Sequence, residues 1–170
     1  MHDFSNSLMQ YYKDGGLIPR GPSGGNYTYV MTGASATPFL VTAIQKGVIV
    51  DELESIYQAL KKNHLAGGIM EKAGYEHIGG GFKYYMKQGY VPYPIPEGKF
   101  GGHQDGASLT MEYAYQDWTL AQLAKKIGHE DDYNYFLKRS ANYKNVFDTK
   151  IGWMRPKNVD GVWKADYDPY

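Results

Sequence analysis

The chain has 170 residues and no cysteine, and its 18 basic side chains balance its 18 acidic ones. The zero formal net charge excludes the one-signed surface of a nucleic-acid binder or a polybasic membrane binder, and the missing thiols exclude disulfides, thiolate zinc sites and a cysteine nucleophile. No apolar run approaches the ~20 residues of a membrane span, and the N-terminus predicts no signal peptide. The 17 tyrosines suit either a Tyr-rich core and surface or loops that bind sugars, because tyrosine has an apolar face and a polar tip.

Six helices are predicted from apolar periodicity and from the residues that begin and end helices. Glycines such as Gly47 and Gly128 fit the left-handed position that follows a helix. Asp51, with Glu54 three residues later, resembles a capping box at the start of the third helix. The predicted ranges are 4–14, 36–46, 52–65, 82–88, 108–127 and 130–147.

The helices alternate between amphipathic and almost wholly apolar sequences, an order that antiparallel hairpins of inner and outer helices produce. The ranges 36–46 and 108–127 are the inner helices, since apolar residues occupy more than one of their faces. Both inner helices then begin at the same rim, where the long loops 15–35 and 89–107 meet. The tail adds a β-hairpin about Asp160-Gly161, so the sequence predicts an all-α domain with functional rim loops and a small C-terminal hairpin.

The helix 108–127 has two apolar faces and is therefore expected to be buried between layers. One face carries Met111, Ala114, Tyr115 and Trp118, and the mid-helix position of Trp118 predicts a helix–helix contact. Truncation of Trp118 to alanine is accordingly expected to cost ~3–5 kcal/mol of stability.

Carboxylates on the same helix are candidates for glycoside chemistry, which uses an acid and a base on opposite sides of the bond. Glu112 and Asp117 are separated by about 140° of helical rotation, so they cannot form a catalytic pair with each other. Glu112 lies near the rim and is the better site candidate. The alternative is that Glu112 is a buried carboxylate hydrogen-bonded to a neighbouring loop.

The rim loops contribute the other candidate binding residues. His103-Gln104-Asp105 is a polar trio that could bind a substrate hydroxyl or a metal ion, although a loop histidine is often only a surface residue and Asp105 can be a helix cap. The string Gly79-Gly80-Gly81 fits no nucleotide-binding loop and is interpreted as a turn. The candidate substrate-binding residues are Thr32, Ser35, His103, Gln104, Asp105 and Glu112.

Seven short strings stand in order along nearly the whole chain. They occupy residues 14–19, 29–33, 46–47, 89–92, 109–118, 139–143 and 153–156. The string from Leu109 to Trp118 is the most specific of them. Together the strings resemble the catalytic domain of glycoside hydrolase family 92, the calcium-dependent exo-acting α-mannosidases.

That resemblance implies an (α/α)6 toroid, an inverting mechanism and terminal α-mannosides as substrates. The chain would be a single partial domain over 1–170, about the first half of the toroid, without the N-terminal β-sandwich domain that family members carry. The family's acid and base and most of its calcium ligands would lie in segments that this chain does not contain, so no catalytic residue, no metal ligand and no cofactor is assigned to it. Gly33-Ala34-Ser35 lacks the histidine that many members have after that glycine. A periplasmic or secreted location is implied by the resemblance alone.

The expected function is therefore one wall of the sugar cleft of an α-mannosidase, with α-mannoside glycans as the partner and no activity from the chain alone. A free-standing carbohydrate-binding helical module and a helical interaction scaffold are the alternatives. Because a half toroid leaves inner helices without neighbours, a homo-oligomer formed through the open helical edge is also expected.

Overall fold

A computed structural model describes residues 2–23, 26–27, 29–74, 79–96 and 106–169. Its helices are α1 (His2–Gly15), α2 (Ala36–Gln45), α3 (Leu53–Asn63), α4 (Ile69–Lys72), α5 (Phe82–Gln88), α6 (Gly106–Ile127) and α7 (Glu130–Ser140). Short 3-10 segments precede α5 (Gly79–Gly81) and follow α7 (Ala141–Val146). Two antiparallel strand pairs complete the described elements: β1 (Pro22–Ser23) with β2 (Asn26–Tyr27), and β3 (Phe147–Asp148) with β4 (Trp153–Met154).

The long helix α6 lies at the centre of the packing. It packs most extensively against α7 and also contacts α2 and α3. Leu120 and Leu123 of α6 are fully buried in the larger apolar cluster, which also takes residues from α1, α2, α3 and α7. A second apolar cluster joins α4 and α5 to Leu109 and Tyr113 near the start of α6. The inner positions of α2 and α6 are thereby confirmed.

A buried ion pair lies at the junction of five helices. Asp117 of α6 is inaccessible to solvent and accepts hydrogen bonds from Arg139 Nε at 2.6 Å and from the Tyr85 hydroxyl at 2.7 Å. His64 Nδ1 donates to the Asp117 carboxylate at 2.8 Å, and the Thr37 hydroxyl donates to His64 Nε2 at 2.8 Å. Arg139 Nη2 also bonds Asp117 and donates to the His64 carbonyl at 2.9 Å. The network therefore ties α2, the end of α3, α5, α6 and α7 together.

The protonation states of Asp117 and His64 follow from their surroundings in this network. Burial alone would raise the pKa of Asp117, but the Arg139 charge and the hydrogen bonds from His64 and Arg139 lower it below its ordinary value. Burial lowers the pKa of His64, which keeps the imidazole neutral. A neutral His64 with Nδ1–H facing Asp117 and Nε2 facing Thr37 satisfies both ring nitrogens.

The second apolar face of α6 is only partly buried. Ala114 is buried, but Tyr115 is 52% exposed and Trp118 is 47% exposed, because Ser140, Tyr143 and Met154 cover that side of the helix only in part. The predicted burial of both faces is therefore wrong for Tyr115 and Trp118, which removes the reason for expecting a large stability cost from truncating Trp118.

Local details differ from the prediction at two further places. The predicted capping box at Asp51 and Glu54 is wrong: the N-cap is Glu52, in a left-handed conformation with φ of 54° and no side-chain cap, while Glu54 bonds Gln58 and His129. The last predicted helix ends at Ser140 rather than 147, because the chain tightens into a 3-10 segment and then enters β3.

The tail contains the predicted hairpin and a second one. Gly161 has φ of +84° in its turn, and Lys157 pairs with Trp163 across it. The β3–β4 hairpin was not predicted. Among the described helices none is long and apolar enough to cross a membrane.

Candidate functional site

Two rim segments lie against the N-terminal half of α6. Val91, in the segment 89–96, donates its amide to the Thr110 hydroxyl at 2.9 Å. Gly106 begins α6 so close to this segment that an added Cβ would lie 2.8 Å from the Val91 carbonyl oxygen. The other segment, 29–35, leads into α2 and contacts the next turns of α6. In their described parts, both predicted rim loops therefore lie against α6.

Gln116 of α6 holds the segment 29–35 in place. Its side-chain oxygen accepts the Ala34 amide at 2.7 Å, and Gln116 is fully buried. Gly33 has φ of +84°, and a Cβ there would lie 3.0 Å from Gln116 Nε2. Any larger residue at position 33 would be strained both by its backbone conformation and by this contact.

Glu112 shares the same glutamine. Gln116 Nε2 donates a short hydrogen bond to Glu112 Oε1, and Glu112 is half-buried. One amide group thus fixes both the backbone at Gly33 and Ala34 and a carboxylate one helical turn away. This arrangement differs from the alternative interpretation of Glu112 as a buried carboxylate hydrogen-bonded to a neighbouring loop, because Glu112 is half-buried and bonds Gln116 of its own helix.

Tyr113 and Thr32 are buried beside Gly80. Thr32 is buried against Gly80, where an added Cβ would lie 2.4 Å from Thr32 Cγ2 and 2.7 Å from the Tyr113 hydroxyl oxygen. Burial, and to a lesser extent the Glu112 charge, raises the pKa of Tyr113 well above its ordinary value. Tyr113 therefore stays neutral and keeps its phenolic proton.

The structure brings only part of the predicted set together. Thr32 and Glu112 are linked indirectly, because Thr32 precedes Gly33, which packs against Gln116, and Gln116 bonds Glu112. Ser35 instead lines a separate cleft of about 500 Å³ between α1 and α2, and it is the N-cap residue of α2, without a side-chain cap bond. The residues His103, Gln104 and Asp105 lie outside the described residues.

The cleft at Ser35 is mainly apolar but contains one cation. Phe4, Leu8 and Phe39 line it together with Arg20. The Nε of Arg20 is buried and has no hydrogen-bond partner within the described part of the chain.

Sequence reasoning missed Gln116 and Tyr113. The one available signal was spacing, because a glutamine four residues after Glu112 lies on the same helix face and can bond it. The contact of Gln116 with Ala34 joins residues 82 positions apart, which spacing within the helix does not reveal.

The family resemblance implies calcium, which is bound by several oxygen ligands that lie close together. In the described ranges, no group of three or more His, Asp or Glu side chains converges in a way that could hold a metal ion. Asp117 is enclosed by the donors Arg139, Tyr85 and His64, so its oxygens are already occupied. No step is assigned to a metal.

Comparison with known proteins places this geometry in context. The whole chain, residues 1–170, matches the family model described as the glycosyl hydrolase family 92 catalytic domain. Among solved structures, it is similar to the family GH92 inverting mannosidase BT2199 from Bacteroides thetaiotaomicron VPI-5482, with 30% identity and a TM-score of 0.77, over 96% of this chain and 21% of that chain. It is also similar to the family GH92 α-mannosidase BT3965 from Bacteroides thetaiotaomicron, with 31% identity and a TM-score of 0.79, over 98% of this chain and 21% of that one.

A further structure of BT3965, in complex with mannoimidazole, has 30% identity and a TM-score of 0.77, over 98% of this chain and 20% of that chain. No curated protein matches the chain. The chain spans about one fifth of the length of these solved structures. The expected fold class, a partial (α/α)6 arrangement of helices, is confirmed.

Proposed function

The chain belongs to glycosyl hydrolase family 92, and we propose that it forms one wall of the sugar cleft of an α-mannosidase that hydrolyses terminal α-mannosides with inversion. The observation that carries the proposal is Gln116, which fixes both the Gly33–Ala34 backbone and the Glu112 carboxylate at the rim of an inner helix. The similarity to mannosidases, one of them in complex with mannoimidazole, supports a mannoside as the ligand of that rim.

Glu112 binds sugar in this proposal and does not catalyse. One of its oxygens accepts from Gln116, and a carboxylate has further acceptor capacity for a sugar hydroxyl. An inverting glycosidase needs an acid and a base roughly 6.5–9.5 Å apart with water between them. The other carboxylate of α6, Asp117, is enclosed by Arg139 and His64 and cannot serve as that partner. The chain alone is therefore proposed to bind a mannoside without hydrolysing it.

Nuclear magnetic resonance titration with methyl α-mannoside and with mannoimidazole tests the binding. The amide signals of Gly33, Ala34 and Glu112 are expected to shift, and Glu112→Gln to weaken binding about tenfold, since a hydrogen bond to a charged group contributes roughly 1.5–3 kcal/mol. Glu54→Gln is a matched control, because Glu54 also accepts from a glutamine four residues later and lies on α3, away from the rim.

Two outcomes would contradict the proposal. Absence of any shift at millimolar mannoside, or equal losses for Glu112→Gln and Glu54→Gln, would remove Glu112 from the binding site. Hydrolysis of an aryl α-mannoside by the purified chain, abolished by Glu112→Gln, would make Glu112 a catalytic residue instead.

A further inference from the structure

Two adjacent glycines, Gly80 and Gly81, end the 3-10 segment before α5 and face different rim segments. An added Cβ at Gly80 would lie 2.4 Å from Thr32 Cγ2, in the segment that leads into α2. An added Cβ at Gly81 would lie 2.7 Å from Val91 Cγ1, in the segment 89–96. The glycine string that the sequence interprets as a turn therefore lies against both rim segments.

The segment that leads into α2 is held by hydrogen bonds on either side of Thr32. The Tyr29 carbonyl accepts the Gly74 amide at 2.6 Å. The Ala34 amide donates to the Gln116 side chain at 2.7 Å. Because Thr32 lies between these two bonds, a displacement of Thr32 is carried along the backbone to Ala34.

The space at Gly80 bears directly on Thr32. Thr32 is 6% exposed, and its methyl group faces Gly80. The fully buried Tyr113 encloses the same place, because its hydroxyl donates to the Gly80 carbonyl oxygen at 3.4 Å. A side chain at position 80 would thus meet both Thr32 and Tyr113.

We propose that Gly80 is a positioning residue: the space left by its missing side chain lets Thr32 lie where the following backbone reaches Gln116. Ordinary van der Waals contact begins at 3.4 Å rather than 2.4 Å, so alanine at position 80 would displace Thr32 by about 1 Å. A shift of that size at Ala34 would lengthen its 2.7 Å bond to Gln116 beyond hydrogen-bond range.

The consequence for sugar binding rests on the proposed function of this rim. Gln116 also bonds Glu112, so a displaced Gln116 redirects the carboxylate that is proposed to bind a mannoside. Gly80→Ala is therefore expected to weaken mannoside binding about tenfold, the effect of one lost hydrogen bond.

Gly81→Ala is the matched control. Both glycines have positive φ, +49° at Gly80 and +77° at Gly81, so alanine strains the backbone at either position. Both are also crowded, but Gly81 faces Val91, whose amide donates to the Thr110 hydroxyl at 2.9 Å. The two variants are therefore expected to disturb different rim segments.

Hydrogen exchange of backbone amides, followed by nuclear magnetic resonance without ligand, tests this difference. In Gly80→Ala, exchange of the Ala34 amide is expected to accelerate about tenfold or more, since its hydrogen bond is lost. In Gly81→Ala, the Val91 amide should accelerate instead. The amide of Leu120, a fully buried residue of α6, reports overall unfolding, so each rate is compared with it. A variant that only destabilised the chain would accelerate all three amides alike.

Thr32→Ser provides a rescue, because serine keeps the hydroxyl and lacks the methyl group that faces Gly80. The double variant Gly80→Ala/Thr32→Ser is expected to regain part of the protection of the Ala34 amide. The rescue is partial, since the Tyr113 hydroxyl oxygen still lies 2.7 Å from the new Cβ. Thr32→Ser alone opens a gap rather than filling one, and it should also accelerate Ala34 exchange relative to Leu120, which tests the same contact if Gly80→Ala fails to fold.

Three results would overturn the inference. They are equal acceleration of Ala34 and Leu120 exchange in Gly80→Ala, the same effect on Ala34 from Gly81→Ala, and unchanged Ala34 exchange in Thr32→Ser. These measurements need no ligand, so they decide the role of Gly80 even if the wild-type chain binds no mannoside, a result that would contradict the proposed function alone. If the wild-type chain does bind mannoside, an unchanged affinity in Gly80→Ala would overturn the role of Gly80 in positioning the sugar site.

Discussion

Replacing Asp117 with asparagine is expected to lower the free energy of unfolding by about 3–5 kcal/mol, the cost of removing one partner from a buried ion pair. Asp117 is fully buried and Arg139 is 8% exposed, so water cannot replace the lost charge. Asparagine preserves the shape but places an NH2 group where Arg139 and Tyr85 donate hydrogen bonds. Against a typical total stability of about 5–15 kcal/mol, this one change removes a large share.

Urea unfolding followed by circular dichroism, at concentrations low enough to keep the chain monomeric, measures the effect. The control is Lys61→Met, which breaks the partly exposed Lys61–Asp132 pair at 2.6 Å and should cost less than about 1 kcal/mol. Adding Arg139→Met to Asp117→Asn should recover part of the loss, because it removes the unpaired buried cation. A loss for Asp117→Asn no larger than that for Lys61→Met would refute the reasoning, as would simple additivity in the double variant.

Three further outcomes are expected. Acidification from pH 7 to 5 should destabilise the chain, because burial lowers the pKa of the His64 imidazole below its ordinary 6.5 and the unfolded chain binds a proton that the folded chain excludes. The free energy of unfolding should fall by at most about 1.4 kcal/mol per pH unit. In urea unfolding, His64→Gln should make the midpoint less dependent on pH over this range. Leu120→Ala, at a fully buried site, should lower the free energy of unfolding by about 2–5 kcal/mol. Trp118→Ala in the monomer should lower it by less than half as much. The reverse order in urea unfolding would mean that the exposed and buried faces of α6 are misassigned. Calcium should leave the melting temperature unchanged, whereas a site saturated at 100 times its dissociation constant would add about 2.7 kcal/mol; a rise of several degrees that a chelator reverses would contradict this.

The sequence predicted helix ends well where a single residue determines the backbone conformation. The helix 82–88 has the predicted bounds, and Gly89 ends it with φ of +79°. Gly47 and Gly128 also have positive φ just after helices. A positive φ is inexpensive only for glycine, so these positions mark helix ends in any context.

The sequence did not predict contacts between residues that are far apart in the chain. Glu54 was expected to cap its own helix, but it bonds His129, which is 75 residues away. The burial of Asp117 could be inferred from its apolar helix, whereas its partners Arg139 and His64 could not, because they come from other helices. The exposure of Trp118 was missed for the same reason, since a helix stripe does not say whether a neighbour covers it.

The two carboxylates of α6 differ in role because their partners differ. Asp117 is saturated with donors from α3, α5 and α7, so it fixes the rotation of α6 about its own axis. Gln116 is the preceding residue, about 100° around the helix, and its bond to Ala34 forms only at that rotation. Glu112, one turn earlier, depends on Gln116 in turn. The buried ion pair therefore sets the position of Gln116, and through it that of the half-buried Glu112, without contacting either the Gly33–Ala34 backbone or Glu112.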